Sequence, residues 1–230
     1  MSTTPKTPKY RHELKYKINP AFLPVLRQRL QACMLRDLHA DENGGYTVTS
    51  LYFDNCFDKA LKEKYCGLNR REKFRLRYYD DKPDIVFLEK KQKHNGLCLK
   101  SSAAVSPEQC RRIMECSYTV LTADEQPLVQ ELGIKMQTQL LRPKSSVRYR
   151  REAFIYGPGN VRVTLDISLL SCPELELFFS EKTAGWLPVP GCVLEVKYDE
   201  YLPHVIEQLI GYDIPQLQSF SKYARCRAII

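Results

Sequence analysis

Apolar and charged residues alternate through Glu72-Lys73-Phe74-Arg75-Leu76-Arg77-Tyr78-Tyr79 with the two-residue period of a β-strand. One face of that strand carries Lys73, Arg75 and Arg77 and the other carries Phe74, Leu76 and Tyr78, which spaces three cations about 7 Å apart along a line. Five more stretches divide in the same way. Arg11 to Ile18 groups Arg11, Glu13, Lys15 and Lys17 opposite Leu14, Tyr16 and Ile18. Phe87 to Lys91 groups Glu89 with Lys91. Ser146 to Glu152 groups Arg148, Arg150 and Glu152, and Val161 to Leu169 groups Arg162, Thr164, Asp166 and Ser168. Val193 to Tyr198 groups Glu195 with Lys197. A solvated sheet face is ordinarily a mix of polar types, whereas these faces are almost entirely Arg, Lys, Glu and Asp.

Helical spacing appears between the strands. Asn19 caps and Pro20 opens a helix with Phe22, Leu23, Leu26 and Leu30 on one side, ending near Met34. Residues 37–45 read as loop and Tyr46 to Phe53 as strand. Asp54 or Asn55 caps a helix with an apolar stripe of Phe57, Ala60, Leu61 and Tyr65, stopped by Gly67. The turn at Asp80 to Asp84 makes a hairpin of its flanking strands, and His94-Asn95-Gly96 makes another. Ser106-Pro107-Glu108 starts a helix, Thr122 with Glu125 reads as a capping box, and Leu128, Val129, Leu132, Met136 and Leu140 continue a helical pattern that Pro143 ends. Leu170 to Gly191, holding the only tryptophan, reads as a surface loop, and Pro203 opens a last helix. The predicted fold is α+β: an antiparallel β-barrel tunnel with a charged interior, its apolar strand backs covered by flanking helices. A mainly cationic bore with a minority of carboxylates suits a chain of phosphates with a divalent metal.

The length of 230 residues fits one domain, here 10–230 behind a flexible tail at 1–9. Net charge of +8 and a pI near 9.0 imply an anionic partner. No apolar run approaches the length of a membrane span. Nine scattered cysteines without a C-x-x-C pair indicate neither a zinc site nor a disulfide framework, so the expected location is the cytoplasm. No phosphate-binding loop of the P-loop or Rossmann type occurs. RNA is disfavoured, because Phe74 and Tyr78 lie opposite the cations instead of among them.

The ordered set of Glu13-x-Lys15-Tyr16, Ser50-Leu51-Tyr52-Phe53-Asp54-Asn55, Arg75-x-Arg77, Glu89-x-Lys91, Arg148-x-Arg150, Arg162-x-x-x-Asp166, Leu194-Glu195-Val196-Lys197 and Ser219-Phe220-Ser221-Lys222-Tyr223 resembles the VTC domain. That domain is the polyphosphate polymerase module of the triphosphate tunnel metalloenzyme superfamily, related to CYTH domains. The resemblance covers nearly the whole chain. It implies transfer of the γ-phosphoryl of ATP to a growing polyphosphate chain, with a divalent metal (Mn or Mg). By position, Lys15, Arg75, Arg77, Lys91, Lys100, Arg148, Arg162 and Lys222 would hold phosphates, with Lys73, Arg150 and Lys197 adding contacts from the same faces. Glu195 would be the leading metal ligand, supported by Glu13, Glu89 and Asp166. The family's E-x-E-x-K strand reads Arg11-x-Glu13-x-Lys15 here, one carboxylate fewer, which argues against the simple hydrolase and cyclase members. Its late K-F-S-K reads Ser219-Phe220-Ser221-Lys222. The alternatives are a triphosphatase or polyphosphatase of the same fold and a non-catalytic polyphosphate-binding module. ATP, polyphosphate or inorganic triphosphate are the expected ligands, and a membrane-protein partner could bring the domain to the inner face of a membrane.

Overall fold

Alternation becomes ten strands in the computed structural model, which describes residues 9–180, 182, 184–211 and 220–229. They are β1 (His12–Ile18), β2 (Leu35–Arg36), β3 (Tyr46–Asp54), β4 (Arg70–Tyr79), β5 (Lys82–His94), β6 (Leu97–Val105), β7 (Arg142–Tyr156), β8 (Val161–Cys172), β9 (Leu187–Pro188) and β10 (Cys192–Tyr198). The helices are α1 (Leu23–Cys33), α2 (Lys59–Tyr65), α3 (Pro107–Met114), α4 (Tyr118–Leu121), α5 (Pro127–Gln139), α6 (His204–Ile210) and α7 (Lys222–Arg227). Residues 1–8 of the expected tail, and Ser219, lie outside the described residues.

Both predicted hairpins form through left-handed turns, Asp80 and Asp81 (φ 54° and 52°) between β4 and β5, and Asn95 and Gly96 (φ 47° and 84°) between β5 and β6. The strands make one antiparallel sheet in the order β1-β10-β8-β7-β3-β4-β5-β6, with β2 on β7 and β9 on β8. Curling brings its two edges together. Arg11, just before β1, and Cys98 of β6 exchange two backbone hydrogen bonds of 2.9 Å. No full ladder closes the ring, so the wall is a curled sheet joined at one bridge.

Helices cover the convex face in two places. Phe74, Leu76 and Leu88 pack with Ile113, Leu132 and Met136 from α3 and α5, while Leu165, Leu194 and Val196 pack with Leu26, Leu30, Ile206 and Ile210 from α1 and α6. Each of these side chains is at least nine-tenths buried, a gain of about 1.5–3 kcal/mol apiece before entropy. A third apolar cluster lies on the concave face, where Val48, Tyr149 and Val193 meet Phe220, Tyr223 and Cys226 of the α7 region.

Four local expectations change. Phe57 and Tyr65 are two-thirds exposed, because Asp58 turns left-handed (φ 52°) and delays α2 until Lys59. Thr122 makes no capping box with Glu125; its hydroxyl donates to the Thr119 carbonyl, α5 begins at Pro127, and the capping box forms at Ser106 with Gln109. Pro143 stands inside β7, since Leu140 (φ 57°) has already ended α5. The stretch from Leu170 to Gly191 is not simply surface loop: Phe178 is fully buried in the core and Trp186 is 7% exposed beneath Arg148.

Candidate functional site

Inward positions on the curled sheet converge on a narrow bore. β1 supplies Glu13 and Lys15, β4 supplies Lys73, Arg75 and Arg77, β5 supplies Glu89 and Lys91, and β10 supplies Glu195 and Lys197. Eight cations line the bore: Lys15, Lys73, Arg75, Arg77, Lys91, Arg151, Lys197 and Lys222, together with Tyr52, Tyr149, Glu195 and Ser221. Ser221 caps α7 through its side chain, which fixes Lys222 at the first turn and aims it at the wall.

Four buried carboxylates are distributed among these cations. Glu89 Oε2 accepts from Arg75 Nε at 2.7 Å, lies 3.7 Å from Arg77 Nη1, and its Oε1 pairs with Lys100. Asp166 takes a two-pronged pair from Arg151 at 2.7 and 2.8 Å and pairs with Lys222. Glu195 lies 3.0 Å from Lys197 Nζ and 3.8 Å from Arg151 Nη2. Glu13 pairs with Lys15 and Lys91. Burial alone would push all four carboxyls up, and the surrounding cations more than reverse it. Glu13, Glu89 and Glu195 fall below the ordinary carboxylate range, and Asp166 falls to about 2.

The cations respond in kind. Lys73 has no carboxylate partner among the described residues and sits over the Tyr52 ring at 5.6 Å. Burial first, then Lys15, Lys91 and Arg75, hold its ammonium well below the usual lysine range. Burial likewise brings Lys91 down to about 8, with Lys15 adding to the fall and Glu13 opposing it. Tyrosine hydroxyls complete the lining: Arg75 donates to Tyr52 at 3.2 Å and Arg77 to Tyr149 at 3.1 Å, while Arg77 Nε donates to Ser50 at 2.9 Å. Fixed guanidinium forks facing a bore suit tetrahedral oxyanions.

A family model for the VTC domain matches residues 10–230. The chain belongs to the VTC domain family. A search of curated proteins found no match. Among solved structures, this VTC domain is similar to a putative adenylate cyclase from Bacillus halodurans (16% identity, TM-score 0.55, 95% of this chain and 97% of that one). It is also similar to a putative adenylyl cyclase from Hippeastrum described as having a dominant triphosphatase activity (13% identity, TM-score 0.56, 95% of each chain). The PH1819 protein of Pyrococcus horikoshii OT3 matches at 12% identity and TM-score 0.50, over 96% of this chain and all of that one. At such identities the likeness shows a shared fold. No helix among the described residues is long and apolar enough to cross a membrane.

Of the residues singled out from the sequence, Lys15, Lys73, Arg75, Arg77, Lys91, Lys197 and Lys222 meet in the bore of this VTC domain. Lys100 is half exposed and reaches in only through Glu89. Arg162 stands aside, donating to the Tyr46 hydroxyl at 2.8 Å and pairing with Asp37. Arg148 and Arg150 are a correction, for they project from the convex face. Arg148 donates to Ser180 O at 3.1 Å and lies 4.5 Å from the Trp186 ring, and Arg150 holds Asp41 at 2.7 and 3.0 Å. Glu152, grouped with them, is bound outside by Arg27 of α1 at 2.7 and 2.6 Å. β7 instead turns Val147, Tyr149 and Arg151 inward, and it pairs Arg151 directly with Asp166 across β8. Sequence reasoning missed Arg151 and Tyr149 because Arg150-Arg151 offers a cation in either parity. The signal available was Val147 and Tyr149, which share Arg151's parity and match the apolar concave floor. Ser168 also leaves its group, since a register shift and its left-handed φ of 52° break the alternation of β8.

The family's divalent metal can be tested against the donors present. Glu13 and Glu195 are diagonal neighbours across β1 and β10, where Glu13 faces Lys197 and Lys15 faces Glu195, and the Glu195 charge is felt at Glu13. Glu89 and Asp166 are drawn apart into their arginine pairs, so the four carboxylates do not meet. No three or more His, Cys, Asp or Glu side chains converge to hold a metal among the described residues. Two adjacent carboxylates fit a Mg- or Mn-type ion whose remaining positions go to water and phosphate, and they do not form an all-protein cage.

Proposed function

We propose that this VTC domain is a metal-dependent polyphosphate polymerase that holds the triphosphate of ATP in the bore and passes its γ-phosphoryl to the end of a polyphosphate chain. The observation that carries the reading is the eight-cation bore, in which Lys73 has no carboxylate partner among the described residues and burial holds the ammoniums of Lys73, Lys91 and Lys197 below the usual lysine range. In the transfer, a terminal oxygen of the chain forms a bond to the γ-phosphorus as the bond from that phosphorus to the β-bridging oxygen breaks. ADP leaves with the electron pair, and the acceptor oxyanion needs no base. The protein's contribution is positioning and charge neutralisation, which phosphoryl transfer chiefly requires. Arg75 and Arg77, braced by Glu89, and Arg151, braced by Asp166, present fixed donors; Lys15, Lys91, Lys197 and Lys222 add point charges. Glu195 and Glu13 would hold the divalent cation, which when bound neutralises phosphate charge.

Incubation with ATP and manganese, with the products resolved by length on a gel, tests the proposal. Polymer longer than triphosphate supports it. Release of inorganic phosphate alone assigns the domain to hydrolysis, the activity described for the Hippeastrum structure. Binding of tripolyphosphate without turnover leaves a binding module.

A further inference from the structure

The bore does not end blind. Its Lys15, Lys73, Lys91 and Ser221 also line a second cavity of about 300 Å³, and that cavity shares Lys64, Phe220 and Ser221 with a third of about 260 Å³. Together they form one path that leaves the barrel between α2 and α7. Beyond the bore the path gains Arg71 and Lys93, then Lys17 and Arg225. None of these four forms a salt bridge among the described residues; Arg71 donates to the Leu68 carbonyl at 2.6 Å.

The carboxylates nearby have other cationic partners: Glu63, whose charge also reaches Arg71, lies 3.9 Å from Lys59 Nζ. Glu13 belongs to Lys15 and Lys91, and Glu72 pairs with Lys90 and Lys135. Among the described residues the third cavity has no carboxylate in its lining. Burial, then Arg71, Lys15 and Lys93, lower the Lys64 ammonium below its usual range, a sign that these charges feel one another. A run of like charge in continuity with an anion site is unfavourable in the empty protein and is relieved by a long polyanion. A triphosphate seated among the bore cations would leave Lys17 and Arg225, in the third cavity, without an anion.

We propose that this path is an outer subsite for linear polyphosphate, engaging the phosphates beyond those in the bore. The inference rests on the phosphate-binding reading of the bore. It makes the protein a reader of chain length, because each distal contact adds affinity that a short ligand cannot reach.

Calorimetry on the full chain with tripolyphosphate and with a polyphosphate of about fifteen phosphates tests it, the longer ligand being expected to bind at least about tenfold more tightly. Combining Arg71→Ala, Lys93→Ala and Arg225→Ala should erase that margin and flatten the salt dependence of long-chain binding, while tripolyphosphate affinity stays unchanged. Lys17→Glu should reproduce the loss from a different strand. Equal affinity of the wild type for both ligands, or a triple variant weakened equally toward both, overturns the outer subsite. An oligonucleotide of matching charge that competes as well as polyphosphate also overturns it. Failure of tripolyphosphate to bind, with the long chain still held through the three cations, sinks the reading of the bore and leaves the path standing.

Discussion

The Tyr223 hydroxyl donates to Asp54 Oδ2 at 2.7 Å, joining α7 to the end of β3. The same carboxylate accepts from the Ala60 and Leu61 amides at 2.9 and 3.2 Å, so one buried Asp ties β3, α2 and α7 together. Lys222 precedes Tyr223, and its place in the bore depends on that tie. Tyr223→Phe keeps the ring among its apolar neighbours and removes one hydrogen bond to a charged acceptor, at a cost of about 1.5–3 kcal/mol. The expected outcome is a lowered Tm together with weaker tripolyphosphate binding, read by thermal melts and calorimetry. An unchanged affinity would detach Lys222 from the site.

Arginines on opposite faces of the wall should behave oppositely. Arg75→Ala or Arg77→Ala should weaken tripolyphosphate binding by about tenfold to a hundredfold, the worth of one charge-assisted contact. Arg148→Ala and Arg150→Ala, whose partners are Ser180, Trp186 and Asp41 on the convex side, should leave it within about twofold. Titration of the four variants distinguishes the two sets.

Arg151→Ala should cost stability before it costs binding. Asp166 is fully buried and would keep only Lys222, a loss of about 3–5 kcal/mol for an ion pair broken on one side. Denaturant unfolding measures it, and Asp166→Asn in the same background should recover part of it.

Alkaline pH should move stability and affinity in opposite directions. Lys91 titrates near 8 in the folded chain, against an ordinary value of 10.5. Between those values the unfolded chain binds more protons, so the empty protein gains stability as pH rises across that window. Tripolyphosphate needs the ammonium, so its affinity falls over the same window, and binding at pH near 8.5 takes up protons. Calorimetry in two buffers of different ionisation enthalpy detects that uptake. At the acid end stability again rises with pH, because the folded carboxyl also releases its proton below the ordinary value. Asp166, at about 2, contributes stability above the ordinary carboxyl range that is lost as pH falls toward 2.

Glu195→Gln should abolish metal-dependent turnover and leave most tripolyphosphate affinity, since it removes a negative charge beside Lys197. A glutamine variant with normal turnover would remove Glu195 from the metal's ligands. Product assays with ATP and manganese decide it.

Much of the wall was readable from residue order because a two-residue period settles which side chains share a face. β1, β4, β5 and β10 each alternate without interruption, and their cations lie together as expected. β7 was not readable in this way. Two adjacent arginines gave both parities a cation, and the pairing of Arg151 with Asp166 and of Arg148 with Thr49 separates inside from outside. The carboxylates misled for a related reason. A glutamate on a charged face can serve a metal or an arginine, and the choice depends on cross-strand neighbours such as Arg75 beside Glu89, which spacing within one strand does not reveal. Trp186 and Phe178 were hidden by an irregular segment whose burial comes from the elements it crosses.

The seam between Arg11 and Cys98 has the fewest backbone bonds of any joint in the wall among the described residues. Everywhere else neighbouring strands would have to unzip a ladder, whereas here two backbone hydrogen bonds hold the margin shut. The amide protons of those two residues should accordingly exchange with deuterium ahead of those in the middle strands.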